Sequence, residues 1–173
     1  MKKIAALAML IGMGGCTTGT ITDPDPVAAQ SGGETLTFSL NSWGKPIQYW
    51  QLQPNGKGEI RIYAEGADFY SYTVERYHID VTPEGYEGVR AELADFISGK
   101  IADVPCKKRI TDQAYGSLQW SSASQTGKFA FDTGCMDDDA APIFKKLHEA
   151  DIALREIMVR DEKPFETSEV KQN

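Results

Sequence analysis

The chain has 173 residues, of which 18 are Lys or Arg and 25 are Asp or Glu, so its net charge at pH 7 is −7. This acidic balance argues against nucleic acid as a partner, because a negative surface is repelled by the phosphate backbone. It also argues against electrostatic attachment to anionic lipid head groups. The length predicts a single domain with a core of ordinary size.

The start of the chain has the order of a secretory signal peptide. Met1–Lys3 is positively charged, Ile4–Met13 is largely apolar, and two glycines lead to Cys16. The apolar run is shorter than the roughly 20 residues of a membrane-spanning helix. Residues 1–15 are therefore predicted to direct export and to be removed.

The residues Met13-Gly14-Gly15-Cys16 resemble the lipobox of bacterial lipoproteins, with small residues before the cysteine and Met13 where leucine is usual. The resemblance covers residues 1–16 only. It implies cleavage before Cys16, attachment of a lipid to its sulfur, and stable anchoring to a membrane by two or three acyl chains. Thr17, where an aspartate would imply inner-membrane retention, favours the outer membrane of a Gram-negative bacterium with the domain facing the periplasm. An ordinary signal peptide cleaved after Val27–Ala29 would instead discard Cys16.

Cys106 and Cys135 are then left as an even pair in an oxidising compartment, which predicts a disulfide. The bridge would close a loop of about 30 residues and stabilise the fold by roughly 3–4 kcal/mol. A simple hairpin register would set Cys135 opposite Gln113, so the bridge requires Lys107–Thr111 to bend back. Two buried thiols remain an alternative, as does half of a metal site, although the spacing matches no Cys-x-x-Cys pattern.

Residues 16–33 are rich in Gly, Pro, Thr and Ser and predict a flexible tether with a reach of about 20–25 Å. The domain is predicted to span residues 34–160, and the polar residues 161–173 to form a disordered tail. Period-two alternation, with an Asn-Gly turn after the second run, predicts four strands at the start of the domain. They are placed around Thr35–Leu40, Ile47–Gln53, Gly58–Ala64 and Tyr70–Val81.

The apolar positions of the fourth run change phase near Glu75-Arg76, which predicts a β-bulge there. Thr82 and Pro83 predict the N-cap and first residue of a helix that ends before Gly99. Two further strands, around Tyr115–Ser121 and Lys128–Asp132, precede a second helix that starts after Asp137-Asp138-Asp139. The order β-β-β-β-α-β-β-α predicts an α+β fold, with an antiparallel sheet of about six strands and two helices packed on one face.

No catalytic, cofactor-binding or metal-binding motif is found, so no enzyme activity, cofactor or metal is predicted. Asp137–Asp139 could suggest calcium, but the cluster lacks the spacing of a calcium loop and suits a helix N-terminus. Acid–base chemistry could be suggested by His78 with Glu75, Arg76 and Asp80, but these positions suit the solvent-exposed face of a strand. The polar stretch 109–116 with residues 132–134 could line a site, or its aspartates could satisfy backbone amides at turns.

The aromatic residues give the main functional signal. Five residues are predicted to form a possible binding surface: Trp43, Tyr49, Trp50, Asp112 and Tyr115. Exposed rings beside glutamines would suit an envelope protein, a peptide or a glycan; alternatively the rings fill both sides of a curved sheet. The predicted role is non-catalytic binding. The alternatives are an inhibitor of a periplasmic or host hydrolase, inserting Asn41–Pro46, and a hydrolase with a concavity around Asp112 and Asp132.

Overall fold

The computed structural model describes residues 33–66 and 71–171. The predicted signal peptide, Cys16, Thr17 and the tether up to residue 32 lie outside these residues. Within the two segments no helix is long and apolar enough to cross a membrane. The described residues form an α+β structure, which agrees with the predicted class, but with eight strands and three helices instead of six and two.

The elements follow the predicted order, with additions after α1 and at the end of the chain. They are β1 (Thr35–Ser42), β2 (Lys45–Leu52), β3 (Lys57–Glu65), β4 (Ser71–Asp80), α1 (Pro83–Glu92), α2 (Ala94–Ile97), β5 (Tyr115–Ser121), β6 (Thr126–Asp132), α3 (Ala141–Ile157), β7 (Val159–Arg160) and β8 (Glu166–Lys171).

All strand pairs are antiparallel, and the sheet runs in the order β6-β5-β1-β2-β3-β4. The first four strands are joined in succession, whereas β5 returns after the helices to pair with β1. The outer edge of β4 is shared by two short strands, β7 at one end and β8 at the other. The sheet therefore ends on the C-terminal segment of the chain.

The prediction of a disordered tail is wrong for residues 161–171. Ser71–Arg76 of β4 pair with Glu166–Lys171 of β8, and the Phe165 N–H donates to the Arg76 carbonyl at 2.9 Å. The Phe165 ring also stacks on His78, with the ring centroids 4.1 Å apart. Pairing with an open strand edge satisfies the backbone of a segment whose side chains are polar, so an apolar pattern is not required.

All three helices contribute residues to one core with the sheet, whereas two helices were predicted. Side chains alternate along each strand, and one alternate set packs with helix residues in a single core. This core includes Leu36, Trp50, Leu52, Ile60, Ile79, Leu118 and Phe129 from the sheet, with Tyr86, Val89, Phe96, Leu147 and Leu154 from the helices. The other face of the sheet, which we call the open face, has no helix packed on it among the described residues.

The β-bulge predicted at Glu75-Arg76 is absent. The β3–β4 ladder keeps one register from Lys57↔Asp80 to Glu65↔Tyr72. The change of apolar phase arises because Tyr72 lies on the open face and Tyr77 on the helix face. A register shift occurs instead in the β1–β2 pair, between Leu40 and Asn41.

The start of the first helix follows the prediction. The Thr82 side chain accepts the Gly85 N–H at 3.1 Å, and Pro83 occupies the first turn. The predicted single helix is divided at Leu93, whose ψ of 0° ends α1 before α2 begins. Gly99, with φ of +76°, ends the helical segment as expected of a residue that tolerates a left-handed conformation.

Candidate functional site

The β1–β2 hairpin ends in a two-residue turn with a tryptophan at its tip. Ser42 pairs with Lys45, and the two residues between them, Trp43 and Gly44, have φ of 52° and 74°. Two successive positive φ values define a type I′ turn, for which Asn-Gly is preferred. A bulky residue there is strained by about 1 kcal/mol or more. Trp43 is nevertheless 67% exposed, so burial of its ring in this fold does not offset that strain.

A second loop is held beside this hairpin by the cysteine pair. Cys106 and Cys135 lie at disulfide distance, with their Cα atoms 5.6 Å apart. As the predicted bridge required, residues 107–111 turn back along the chain. The Ile110 N–H donates to the Gly134 carbonyl at 2.9 Å, and the Met136 N–H donates to the Lys108 carbonyl at 2.8 Å. These bonds form a short antiparallel pairing that continues past the end of β6.

Asp137 fixes this loop instead of capping the following helix. Its carboxylate accepts the backbone N–H groups of Lys107 and Lys108, the second at 2.9 Å. These two hydrogen bonds lower the pKa of Asp137. The N-cap of α3 is Ala140, which makes no side-chain cap. The interpretation of the aspartates as helix-terminus caps is therefore wrong for Asp137.

One cluster in the described ranges brings three residues of metal-ligating types together: Cys106, Cys135 and Asp137. The two sulfur atoms are bonded to each other and are not thiolates, the form of cysteine that ligates metals. Asp138 and Asp139 are not part of the cluster. The arrangement therefore serves the disulfide loop.

The hairpin tip and the disulfide loop enclose a concavity of about 300 Å³, which we call the tip site. Three of the five predicted surface residues, Trp43, Asp112 and Tyr115, line it together. Ile110 and Tyr115 at its rim are 43% and 44% exposed. Its lining is Trp43, Arg109, Ile110, Thr111, Asp112, Gln113, Tyr115 and Asp132. The tip site thus combines apolar side chains with positively and negatively charged ones.

The two aspartates of the tip site have different surroundings. Asp132 accepts the Gly134 N–H at 2.8 Å and lies 3.5 Å from an Arg109 guanidinium nitrogen, which agrees with its interpretation as a turn residue. Asp112 has φ of 68° and accepts the Thr111 hydroxyl at 3.4 Å, and no backbone amide of the described residues donates to its side chain. Within residues 33–66 and 71–171, the two residues other than glycine with positive φ are Trp43 and Asp112, and both lie in the tip site.

Trp50 does not belong to a binding surface, and this part of the prediction is wrong. Its side chain is fully buried under α3, and its indole N–H donates to Asp151 at 3.1 Å. Asp151 is only 7% exposed and also accepts hydrogen bonds from Gln48 and Arg155. Because neighbours on a strand point to opposite faces, Trp50 lies in the core and Tyr49 on the open face.

Tyr49 lines a second concavity, the open-face groove, of about 500 Å³. Its central side chains are Tyr49, Arg61, Tyr63, Tyr72, Arg76 and Glu166. The arginines and Glu166 are not among the five residues predicted to form a binding surface. Tyrosines and arginines at alternate positions of successive strands were the available signal, but the strand register was needed to bring them together.

The residues around His78 are not gathered into one site. Glu75 lies on the other face of β4 and accepts the Tyr77 hydroxyl at 2.7 Å, while Asp80 pairs with Lys57. His78 stacks on Phe165. These contacts agree with the interpretation of His78 as a residue on the solvent-exposed face of a strand.

Comparison of the chain with protein-family models, with curated proteins and with solved structures found no match.

Proposed function

We propose that the chain is a lipid-anchored, non-catalytic binding protein of the cell envelope, which contacts a protein or peptide partner through the tip site. The observation that carries this proposal is Trp43, a large ring held two-thirds exposed in a strained turn. Residues held in strained backbone conformations are concentrated at functional sites. Tryptophan and tyrosine beside arginine are the residues that contribute most at protein interfaces.

The surroundings of Trp43 support a preformed binding surface. The disulfide and the Asp137 hydrogen bonds fix the loop that carries Ile110 and Tyr115. A surface already fixed loses little conformational entropy when a partner binds. The tip lies at one end of the sheet, so a partner can approach it without displacing the helices.

The anchoring half of the proposal rests on residues 1–33, up to the end of the tether. The lipobox resemblance places lipid on Cys16, Thr17 favours the outer membrane, and the tether would let the domain face the periplasm away from the lipid surface. Mass spectrometry of the native protein tests it: the expected product begins at Cys16 and carries acyl chains. A product that retains residues 1–15, or that begins after Ala29, would contradict it.

Inhibition of a hydrolase is a second candidate, favoured by the short hairpin at Asn41–Pro46. A two-residue turn between paired strands is the kind of rigid protrusion that can enter an enzyme cleft. Adding the purified protein to lysozyme and protease assays tests this candidate. If the native protein inhibits an enzyme and the Trp43→Asn variant inhibits it equally well, the inhibitory contact lies away from the tip.

A hydrolase centred on Asp112 and Asp132 is the third candidate, and the tip site does provide the concavity that it needs. What supports binding over catalysis is the chemistry of the lining. Asp132 is engaged by Arg109 and Gly134, so the concavity does not offer the two free carboxylates that a hydrolase centred on Asp112 and Asp132 would use.

Comparative capture from solubilised envelopes tests the binding role. The native protein is compared with Trp43→Asn, which suits the turn, and with Ile152→Asn, a matched change at an exposed apolar residue of α3. We expect a partner that is retained by the native protein and the Ile152 variant and lost by the Trp43 variant. Equal retention by both variants would contradict a role for the tip site.

A further inference from the structure

The open-face groove is built on one row of side chains that crosses five strands. Ser39, Tyr49, Arg61, Arg76 and Glu166 are successive partners across β1, β2, β3, β4 and β8. With strands spaced about 4.8 Å apart, the row is roughly 19 Å long. A ligand lying along it would cross the strands.

The row places two like charges directly opposite each other, which is normally unfavourable in a sheet. Arg61 and Arg76 face each other on β3 and β4, and Glu59 accepts hydrogen bonds from both, at 2.7 Å from Arg61 and at 2.6 and 3.0 Å from Arg76. Glu166 binds the other side of Arg76. Glu59 does not line the groove, but it is bound to both arginines, so the two guanidinium groups and the two carboxylates together carry no net charge.

Tyrosine rings form the rest of the groove centre. The Arg61 guanidinium lies 3.8 Å from the centroid of the Tyr49 ring, which holds both groups in place. Tyr63 and Tyr72 meet edge to face, with centroids 6.1 Å apart. Burial raises the pKa of Tyr49 and of Tyr63, so both keep their hydroxyl protons at neutral pH. The rings therefore offer apolar surface and neutral hydroxyl groups side by side.

These features select among ligand classes. The strands that form the groove floor are paired on both sides, so the floor offers no backbone edge for an added peptide strand. The balanced charge provides no attraction for a polyanion or a polycation. Fixed planar polar groups beside aromatic rings match a neutral, hydroxyl-rich molecule that also has apolar C–H faces.

We propose that the open-face groove binds a neutral oligosaccharide, whose rings pack on Tyr49 and Tyr63 and whose hydroxyl groups bond to the Arg61–Arg76–Glu166 row. This site is distinct from the tip site. Its floor comes from β2, β3 and β4, and one wall comes from β8.

Isothermal titration of the full chain, in a detergent without a sugar head group, tests the proposal. The probes are an N-acetylglucosamine tetramer, a glucose tetramer and a capped neutral tetrapeptide. Ser168→Trp fills the groove from β8, and Thr167→Trp makes the same change on the opposite face of that strand, at an exposed position. Thermal melts of both variants verify that they are folded.

We expect at least one saccharide to bind, with affinity at least tenfold weaker in Ser168→Trp and unchanged in Thr167→Trp. Absence of saccharide binding to the native chain would overturn the proposal. So would equal affinity of the two variants, or binding of the peptide alone with sensitivity to Ser168→Trp.

Discussion

Arg61 and Arg76 stand directly opposite each other on adjacent strands, and the carboxylate of Glu59 joins them. Glu59 has a largely buried side chain, 17% exposed, whereas the two guanidinium groups are about one-third exposed. The repulsion between the arginines is thus offset by a carboxylate that is more buried than the guanidinium groups it binds.

Glu59→Gln is expected to lower the free energy of unfolding by about 1–2 kcal/mol, since it removes charge-assisted hydrogen bonds that are partly screened by solvent. Glu65→Gln, at an exposed position of the same strand, serves as the control and is expected to change stability by less than about 0.5 kcal/mol. Urea unfolding measures both. Equal stability of the two variants would show that the arginine pair does not depend on Glu59.

The effect of Glu59→Gln on the free energy of unfolding is also expected to depend on pH. Burial alone would raise the pKa of Glu59, but hydrogen bonds from Arg76 and Arg61 lower it below its ordinary value of 4.5. The contribution of Glu59 to the free energy of unfolding is therefore fully present above pH 4.5. It is lost as the pH falls through the lowered pKa. The stability difference between native protein and Glu59→Gln should shrink as the pH is lowered below 4.5. A difference that stays constant or grows on acidification would contradict this assignment.

Replacing both Cys106 and Cys135 with serine should destabilise the domain by about 3–4 kcal/mol, because the bridge closes a long loop in the unfolded chain. Adding a reductant to the native protein should shift its thermal midpoint in the same direction. The double variant should not respond to reductant. A native protein insensitive to reductant at its melting temperature, with a double variant of equal stability, would show that the cysteines are not bridged.

Ending the chain at Lys163 should remove β8 and expose the edge of β4. We expect a thermal midpoint lower by roughly 4–8 °C, corresponding to about 2 kcal/mol, and a greater tendency to aggregate through the open edge. Hydrogen exchange should show lost protection in Ser71–Arg76, with β1 still protected at the centre of the sheet. Unchanged protection of β4 would contradict the pairing with β8.

Trp43→Asn should stabilise the domain by roughly 0.5–1 kcal/mol, because asparagine tolerates the left-handed conformation that this turn requires. Trp43→Ala shortens the side chain without that preference and serves as the comparison. Urea unfolding of both variants separates the two effects. If asparagine gave no advantage over alanine, the turn strain attributed to Trp43 would be absent.

The sequence was sufficient for elements whose pattern is local. Alternation predicted β1, the Asn-Gly turn placed β2 beside β3, and Thr82 with Pro83 located the start of α1. It was insufficient for β8, whose residues Glu166–Lys171 are almost all polar because they pair with an edge beside a polar groove. It also misplaced Trp50, since adjacent aromatic residues give no sign of which one faces the helices.

In the candidate sites, too, the sequence was sufficient for local features and insufficient for those that depend on strand register. The pairing of Cys106 with Cys135 was predicted because they are the two cysteines left after Cys16, although a simple hairpin register sets Cys135 opposite Gln113. Asp112 and Tyr115 lie close together in the chain, so their proximity was also predictable. The arginine–glutamate row depends on the register of five strands, two of them 90 residues apart in the chain at Arg76 and Glu166. Only the three-dimensional structure brings these charges together.

Photo-cross-linking from the hairpin tip tests the proposed binding role most directly. A benzophenone side chain is placed at position 43 and, as a control, at position 152 on α3, and intact envelopes are irradiated. If the tip site is the contact surface, a discrete adduct forms from position 43 and is absent from position 152. The same adducts from both positions, or none from position 43, would contradict it.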